Sequence, residues 1–264
     1  MGADNKRCVS QRNDPVTLQE MMRPESISIQ NSDHVIFEPD SDRKKLLIVF
    51  AYIDQKLGTR SHSSFLRHVD CKKLFLNPGR NEWYQTGVPG VASSYTGLLA
   101  FLRDVKSGFA DHEILCLGHS MGGFPALGIG VAMEADRILA SAPEYILNMP
   151  NSLSVRHLKQ TRIECADLTP VLSANAESSI SILVGKQNAF DMEVANRLGA
   201  FPHTDVIELE TGHNTFPYLK EVGKLGAILE AFVEGQDMRT IVAGTPRPEE
   251  RIVRSDPEGR VSTP

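Results

Sequence analysis

Two apolar stretches of the chain read as strands, Leu46-Leu47-Ile48-Val49-Phe50 directly after Lys45, and Ile114-Leu115-Cys116-Leu117. Such runs suit strands covered on both faces in a mainly parallel sheet. Shorter strand-like runs fall at residues 73–76, 137–141, 179–184 and 204–209. Between them the spacing predicts helices over about 63–69, 92–106, 121–133 and 191–198. The second of these carries Ser94, Leu98, Phe101, Leu102 and Val105 on one stripe. A closing helix has Leu219, Val222, Gly226, Leu229 and Val233 at helical spacing. Near the start, the runs 26–29 and 35–37, parted by Asn31-Ser32-Asp33, predict an antiparallel hairpin at one sheet edge. Strand–helix alternation of this kind implies an α/β fold in three layers, a mostly parallel twisted sheet with helices on both faces and right-handed crossovers.

The same reading divides the chain. Residues 1–24 are polar and are expected to be a loose arm. Residues 25–235 form one α/β domain, a normal size for that class. Within it, residues 143–170 are too long for a plain connection and are expected to form a small cap or helical excursion over the site. The tail, 236–264, is rich in Pro, Arg and Glu and is expected to be disordered.

Composition narrows the function classes. Hydrophobic content of 41% and charged content of 23% over 264 residues are ordinary for a soluble protein. A net charge of −5 and a pI near 5.9 leave no basic footprint for nucleic acid. No stretch approaches a membrane span. The first thirteen residues are polar and lack the apolar core of a secretory signal. Cys8, Cys71, Cys116 and Cys165 are widely spaced with no paired-ligand pattern, so a reduced, cytoplasmic chain is expected.

The candidate chemistry begins where the second apolar run ends, in Gly118-His119-Ser120-Met121-Gly122 followed by a small-residue helix. A strand, a sharp turn and a helix around Gly-x-Ser-x-Gly form a nucleophile elbow, which lifts the Ser120 hydroxyl clear of the backbone. Gly118 and Gly122 stand where a Cβ would collide with the turn or its neighbours. This segment resembles the α/β-hydrolase superfamily, and the resemblance runs from about residue 44 to about residue 233. In that superfamily the members arrive in the order Ser, acid, His, each from a loop at the C-terminal edge of the sheet. Ser120 fits the first place. His213, just past the last strand and beside Gly212, fits the last. A neutral imidazole there can take the serine proton and return it to a leaving group.

The acid should follow the strand at 180–184. The pattern common in the superfamily puts Asp three residues after the Gly, where this chain has Asn188 after Gly185. An amide cannot stabilise an imidazolium as a carboxylate does. Asp191, three residues on, is therefore the expected acid, against the alternative that it serves only as a helix cap or first-turn carboxylate. Glu193 is a more distant choice. For the oxyanion hole, one N–H should come from Met121 and the second from the loop after Phe50, from Ala51 or Tyr52. His119 resembles the structural His often found beside the nucleophile and is given no catalytic role.

The polar loop from Asn77 to Gly90 holds Trp83-Tyr84 before Gly-Val-Pro-Gly. It is similar to a segment in hydrolase-like proteins associated with bacterial surface polysaccharides. Trp83 and Tyr84 either line the substrate cleft or anchor the loop from beneath. His62 and His68 keep no ligand spacing with a third group, so no metal is expected and both read as solvated surface residues. The resemblance implies a serine hydrolase cleaving an ester, thioester or similar acyl bond on a small or glycan-linked substrate, with no cofactor. Acyl transfer to another alcohol, and a catalytically weak accessory protein on the same fold, are the alternatives.

Overall fold

The computed structural model describes residues 29–243. Its sheet is built from β1 (Val35–Glu38), β2 (Lys45–Phe50), β3 (Lys72–Leu76), β4 (Glu113–His119), β5 (Arg137–Ser141), β6 (Ser179–Gly185) and β7 (Thr204–Leu209). The spatial order is β1-β3-β2-β4-β5-β6-β7. Only β1 runs antiparallel to its neighbour; every other pairing is parallel.

Alternation along the central strands explains the layers. Successive side chains point to opposite faces. Leu46, Ile48, Phe50, Ile114 and Cys116 therefore enter one core, and Leu47, Val49, Leu115 and Leu117 enter the other. Helices cover both. The first core is closed by α2 (Tyr95–Gly108) and α3 (Gly123–Ala132); the second by α1 (Ser63–Leu66), α7 (Thr215–Glu221) and α8 (Leu225–Glu234). Helix α2 buries Tyr95, Leu98, Leu102 and Val105 along one stripe, and Ser94 caps it by accepting the Gly97 N–H at 3.0 Å. Helix α3 is buried from Gly123 to Val131, as expected of an element apolar on every side. The short helices α4 (Ser154–His157) and α5 (Thr169–Ser173) belong to the long connection after β5, and α6 (Ala189–Leu198) follows β6.

Two expectations need correction, and a third lies largely outside the described residues. The first strand of the hairpin expected ahead of β1 falls on residues 26–28, outside the described residues as is the arm 1–24, and Ile29 is in no strand. The Asn31 amide explains the edge. Its Oδ1 accepts the Phe37 N–H at 2.6 Å and its Nδ2 donates to the Phe37 carbonyl at 3.4 Å, so a side chain occupies groups a partner strand would use. The closing helix is two helices, α7 and α8, because Gly223 takes a φ of 72° between them. The tail starts in order: Met238 is buried, α9 (Arg239–Val242) forms, and Arg239 pairs with Asp205 on β7. Residues 244–264 lie outside the described residues.

The C-terminal ends of β4, β6 and β7 face one side, the side on which open α/β sheets place their ligands. The loops after β6 and β7 touch at backbone level. A Cβ on Gly185 would collide with the carbonyl oxygens of Gly212 and Thr211. Two backbone bonds lace the loops, Lys186 N–H to Leu209 O and Gln187 N–H to Thr211 O, each 2.9 Å. Gly185→Ala is accordingly expected to destabilise by about 1–3 kcal/mol, the usual cost of overpacking. Urea unfolding measures it, and a midpoint equal to the parent's would mean that the two loops part freely.

Candidate functional site

Strand β4 delivers its last residue, His119, to the sheet edge, and a 3-10 turn over Ser120–Gly122 leads into α3. Ser120 is held at a φ of 51°, in the left-handed region that non-glycine residues avoid. The glycines permit this turn. A Cβ on Gly118 would overlap the Gly122 carbonyl, and one on Gly122 would lie 2.6 Å from the Phe50 oxygen and 2.8 Å from the Ala51 oxygen. The elbow is thus pressed against the end of β2.

Three expected residues come together in a row. The Ser120 Oγ lies 2.9 Å from His213 Nε2, and His213 Nδ1 lies 2.8 Å from Asp191 Oδ2. With its proton on Nδ1, a neutral imidazole donates to Asp191 and accepts from the Ser120 hydroxyl. Asp191 is 4% exposed. Asn188 serves the helix instead, its Oδ1 accepting the Asp191 N–H at 3.1 Å to cap α6. Asp191 therefore sits in the first turn of that helix with its carboxylate free to face His213. Glu193 points elsewhere, into an exposed pair with Arg197.

The expected N–H donors divide. Ala51 is excluded, because its N–H is shared between the Leu76 carbonyl at 3.0 Å and the Tyr84 hydroxyl at 2.6 Å. Among the described residues, neither the Tyr52 nor the Met121 N–H enters a loop, turn or side-chain hydrogen bond. Met121 directly follows Ser120, and Tyr52 follows Ala51, whose carbonyl lies against Gly122 of the elbow.

Trp83 and Tyr84 do not line an open cleft. Both have no exposed surface, and the Tyr84 hydroxyl is committed to backbone, donating to Leu76 O at 2.8 Å. They are anchors beneath the loop. His62 is not a solvated residue either: its ring stands edge-on to Phe216 at 4.8 Å, and its Nε2 is buried without a partner. Desolvation lowers its pKa to about 4. His68 is exposed, with its Nε2 accepting from Arg67. Among the described residues no three His, Cys, Asp or Glu side chains gather as a metal site, and no helix is long and apolar enough to cross a membrane.

His119 stacks on Phe216 at 5.4 Å and lies 5.7 Å from the His213 ring. Its Nδ1 meets Ser141 Oγ at 3.1 Å. Burial, reinforced by His213 and His62, lowers its pKa to about 3. Two buried polar residues near the site carry no sequence signal. Glu144, the second residue of the 143–170 segment, accepts the Ser154 N–H at 3.0 Å, and burial raises its pKa. Gln85 accepts from the backbone of Glu164 and Cys165.

Two cavities reach the neighbours of Ser120, one lined by His119 and the other by Met121. One of about 460 Å³ is walled by Tyr52, His62, Phe65, His119 and Phe216, with Lys220 at its rim. The other, about 320 Å³, is polar, with Asp54, Arg80 and Asn81 facing Tyr52 and Met121. Residues 143–170 line neither of these two cavities.

Neither a protein-family model nor a curated protein sequence matches the chain. Solved structures do. The capsule O-acetyltransferase of Neisseria meningitidis serogroup A superposes with a TM-score of 0.55 at 15% identity, over 77% of this chain and 93% of that one. MenH from S. aureus gives 0.53 at 12% identity, over 76% and 98%. An esterase from Exiguobacterium antarcticum gives 0.53 at 14% identity, over 76% and 94%. At these identities the likeness is one of fold, and the chain has the α/β-hydrolase fold.

The buried His119 makes stability depend on pH. An unfolded histidine takes a proton near pH 6.5, whereas this one resists until about pH 3, so the unfolded chain binds more protons between those values. Stability present above pH 6.5 is lost as pH falls, by roughly 1.4 kcal/mol per pH unit from this one group. His119→Asn is expected to reduce the slope of unfolding free energy between pH 6.5 and 5, measured by urea titration. An unchanged slope would place the proton uptake on other groups.

Proposed function

We propose that the protein is a serine hydrolase that cleaves an ester, thioester or similar acyl bond. The observation that carries this reading is the unbroken row Ser120 Oγ, His213 Nε2, His213 Nδ1, Asp191 Oδ2, with links of 2.9 and 2.8 Å. Ser120 attacks the carbonyl carbon while His213 Nε2 takes its proton. Asp191 holds the ring and stabilises the imidazolium. The oxyanion is received by the N–H groups of Met121 and Tyr52, and the alcohol or thiol leaves with the proton from His213. Water then attacks the acyl-enzyme, with His213 as base again. No cofactor enters these steps.

The two cavities, one lined by His119 and the other by Met121, support a substrate with unlike ends, one apolar or aromatic and one polar. A glycan-linked acyl group has that character. The fold likeness to a capsule O-acetyltransferase supports a second reading, in which an alcohol rather than water receives the acyl group from the same serine. The accessory-protein reading loses its main support, because Asn188 is the helix cap and a carboxylate stands opposite His213. Residues 143–170 act as a cap over the His213 side of the site in this reading. The free thiols of Cys71, Cys116 and Cys165 support a reducing, cytoplasmic setting.

A fluorophosphonate probe is expected to label the parent and not Ser120→Ala. Labelling that survives in the variant would assign the nucleophile elsewhere. Asp191→Asn is expected to lower kcat by about four orders of magnitude through the wrong imidazole tautomer. Asn188→Ala should instead cost about 1 kcal/mol of stability with little loss of turnover. If the two variants exchange these behaviours, Asp191 is only part of the helix start.

A further inference from the structure

Three consecutive residues are buried between the proposed oxyanion loop and the 143–170 segment. Trp83 and Tyr84 are 0% exposed and Gln85 is 2% exposed. Trp83 has a φ of 47° and Tyr84 a φ of 61°. Two successive non-glycine residues in the left-handed region are costly, and such strain persists only where the surroundings over-determine it. Each side chain reaches a different element. The Trp83 ring meets His157 of α4 at 5.8 Å. The Tyr84 hydroxyl accepts the Ala51 N–H at 2.6 Å and donates to Leu76 O at 2.8 Å, and its ring stands edge-on to Phe50 at 5.4 Å. The Gln85 Oε1 accepts the N–H groups of Glu164 and Cys165, both at 2.9 Å.

We propose that Trp83-Tyr84-Gln85 is a junction that sets the oxyanion donor and ties it to residues 143–170, with Tyr84 as the positioning residue. The proposal rests on the serine-hydrolase reading, in which Tyr52 N–H is one of the two donors. Tyr84 acts one residue before that donor. By occupying the Ala51 N–H, its hydroxyl fixes the Phe50–Ala51 peptide, and it also lies 3.5 Å from the Ala51 carbonyl, which belongs to the peptide that carries the Tyr52 N–H. Farther along the same loop, Asp54 N–H donates to Asn81 Oδ1 at 2.9 Å, and Asn77 Nδ2 donates to Gln55 O at 3.2 Å. The loop after β2 is therefore laced at three points onto the loop that carries the junction. Gln85 extends the same rigid path to the backbone of 164–165. Burial holds the Tyr84 hydroxyl neutral, so it stays a donor to Leu76 while accepting from Ala51. A preorganised donor is worth more than a mobile one, because it needs no reorganisation as charge develops.

Tyr84→Phe keeps the ring against Phe50 and removes only the hydroxyl. With p-nitrophenyl acetate, kcat is expected to fall about 10- to 100-fold, the scale of a misplaced group rather than a deleted donor. KM should stay within about twofold, a split that a general loss of packing would not give. Gln85→Leu should also lower kcat, and the double variant should be no slower than about the worse single, since both loosen one path. Gln85→Glu, which keeps an acceptor, should restore part of the loss. A parent-like kcat in Tyr84→Phe, or a matching rise in KM, overturns the positioning role. Losses that multiply in the double variant overturn the junction. If Tyr84→Phe does not fold, the Gln85 variants decide: a kcat lowered in Gln85→Leu and partly restored in Gln85→Glu at unchanged KM supports the proposal, and a parent-like kcat in Gln85→Leu overturns it. A parent that neither labels at Ser120 nor turns over substrate sinks the serine-hydrolase reading itself, and this proposal with it; an active parent with an unaffected variant sinks the proposal alone.

Discussion

A serine held at a φ of 51° is the constraint from which the arrangement of the site follows. Such a conformation costs on the order of 1–3 kcal/mol and needs neighbours that leave no alternative. Strand β4 lies between β2 and β5, hydrogen-bonded to both, so the chain enters the turn from a fixed direction. Helix α3 leaves it wholly buried, which fixes the exit. The bare backbone of Gly122 then rests against the Phe50 and Ala51 carbonyls. One close approach thus brings the nucleophile's turn and the end of β2 together, and with them the two free N–H groups of Met121 and Tyr52.

The acid and the imidazole are fixed by a second approach of the same kind. Gly185 and Gly212 pass so closely that the loops after β6 and β7 behave as one piece. Lys186 and Gln187 continue the lacing, and Asn188 starts α6 so that Asp191 falls one turn in, buried and opposite His213. A carboxylate taken out of water needs a charged or hydrogen-bonding partner, and His213 Nδ1–H supplies it. Ser120 therefore meets a ring whose orientation was already decided by two loops distant from it in sequence.

Much of this was legible in the chain. The parallel strands announced themselves as unbroken apolar runs, because burial on both faces leaves no room for polar alternation. Ser120 and His213 were readable because the elbow has a local residue pattern and the last strand has a clear end. Asp191 was readable on chemical grounds alone, as the carboxylate nearest the expected loop. What the chain did not disclose depends on contacts between distant segments. Ala51 and Tyr52 are equivalent as sequence, and only the Leu76 carbonyl and the Tyr84 hydroxyl, 25 and 33 residues on, remove one of them. Trp83 and Tyr84 carry no sign of whether they face a cleft or a core. Asn31 takes up the Phe37 backbone groups at the sheet edge through side-chain bonds that no periodicity predicts. The break at Gly223 was hidden because its flanking helices share an apolar spacing.

Charge gives the site its remaining logic. In the proposed reaction His213 gains a proton while Ser120 attacks, and Asp191 is the carboxylate placed to stabilise the new cation. A second imidazole stands 5.7 Å away on His119, and a charge there would oppose the first. Burial prevents it: enclosed by Phe216 and Ser141, His119 stays neutral down to about pH 3. His62, edge-on to the same Phe216, is kept neutral in the same way to about pH 4. The aromatic packing beneath Ser120 thus does more than fill space. It removes two competing protonation sites from the neighbourhood of His213, whose partly exposed ring is the one that faces both Ser120 and Asp191.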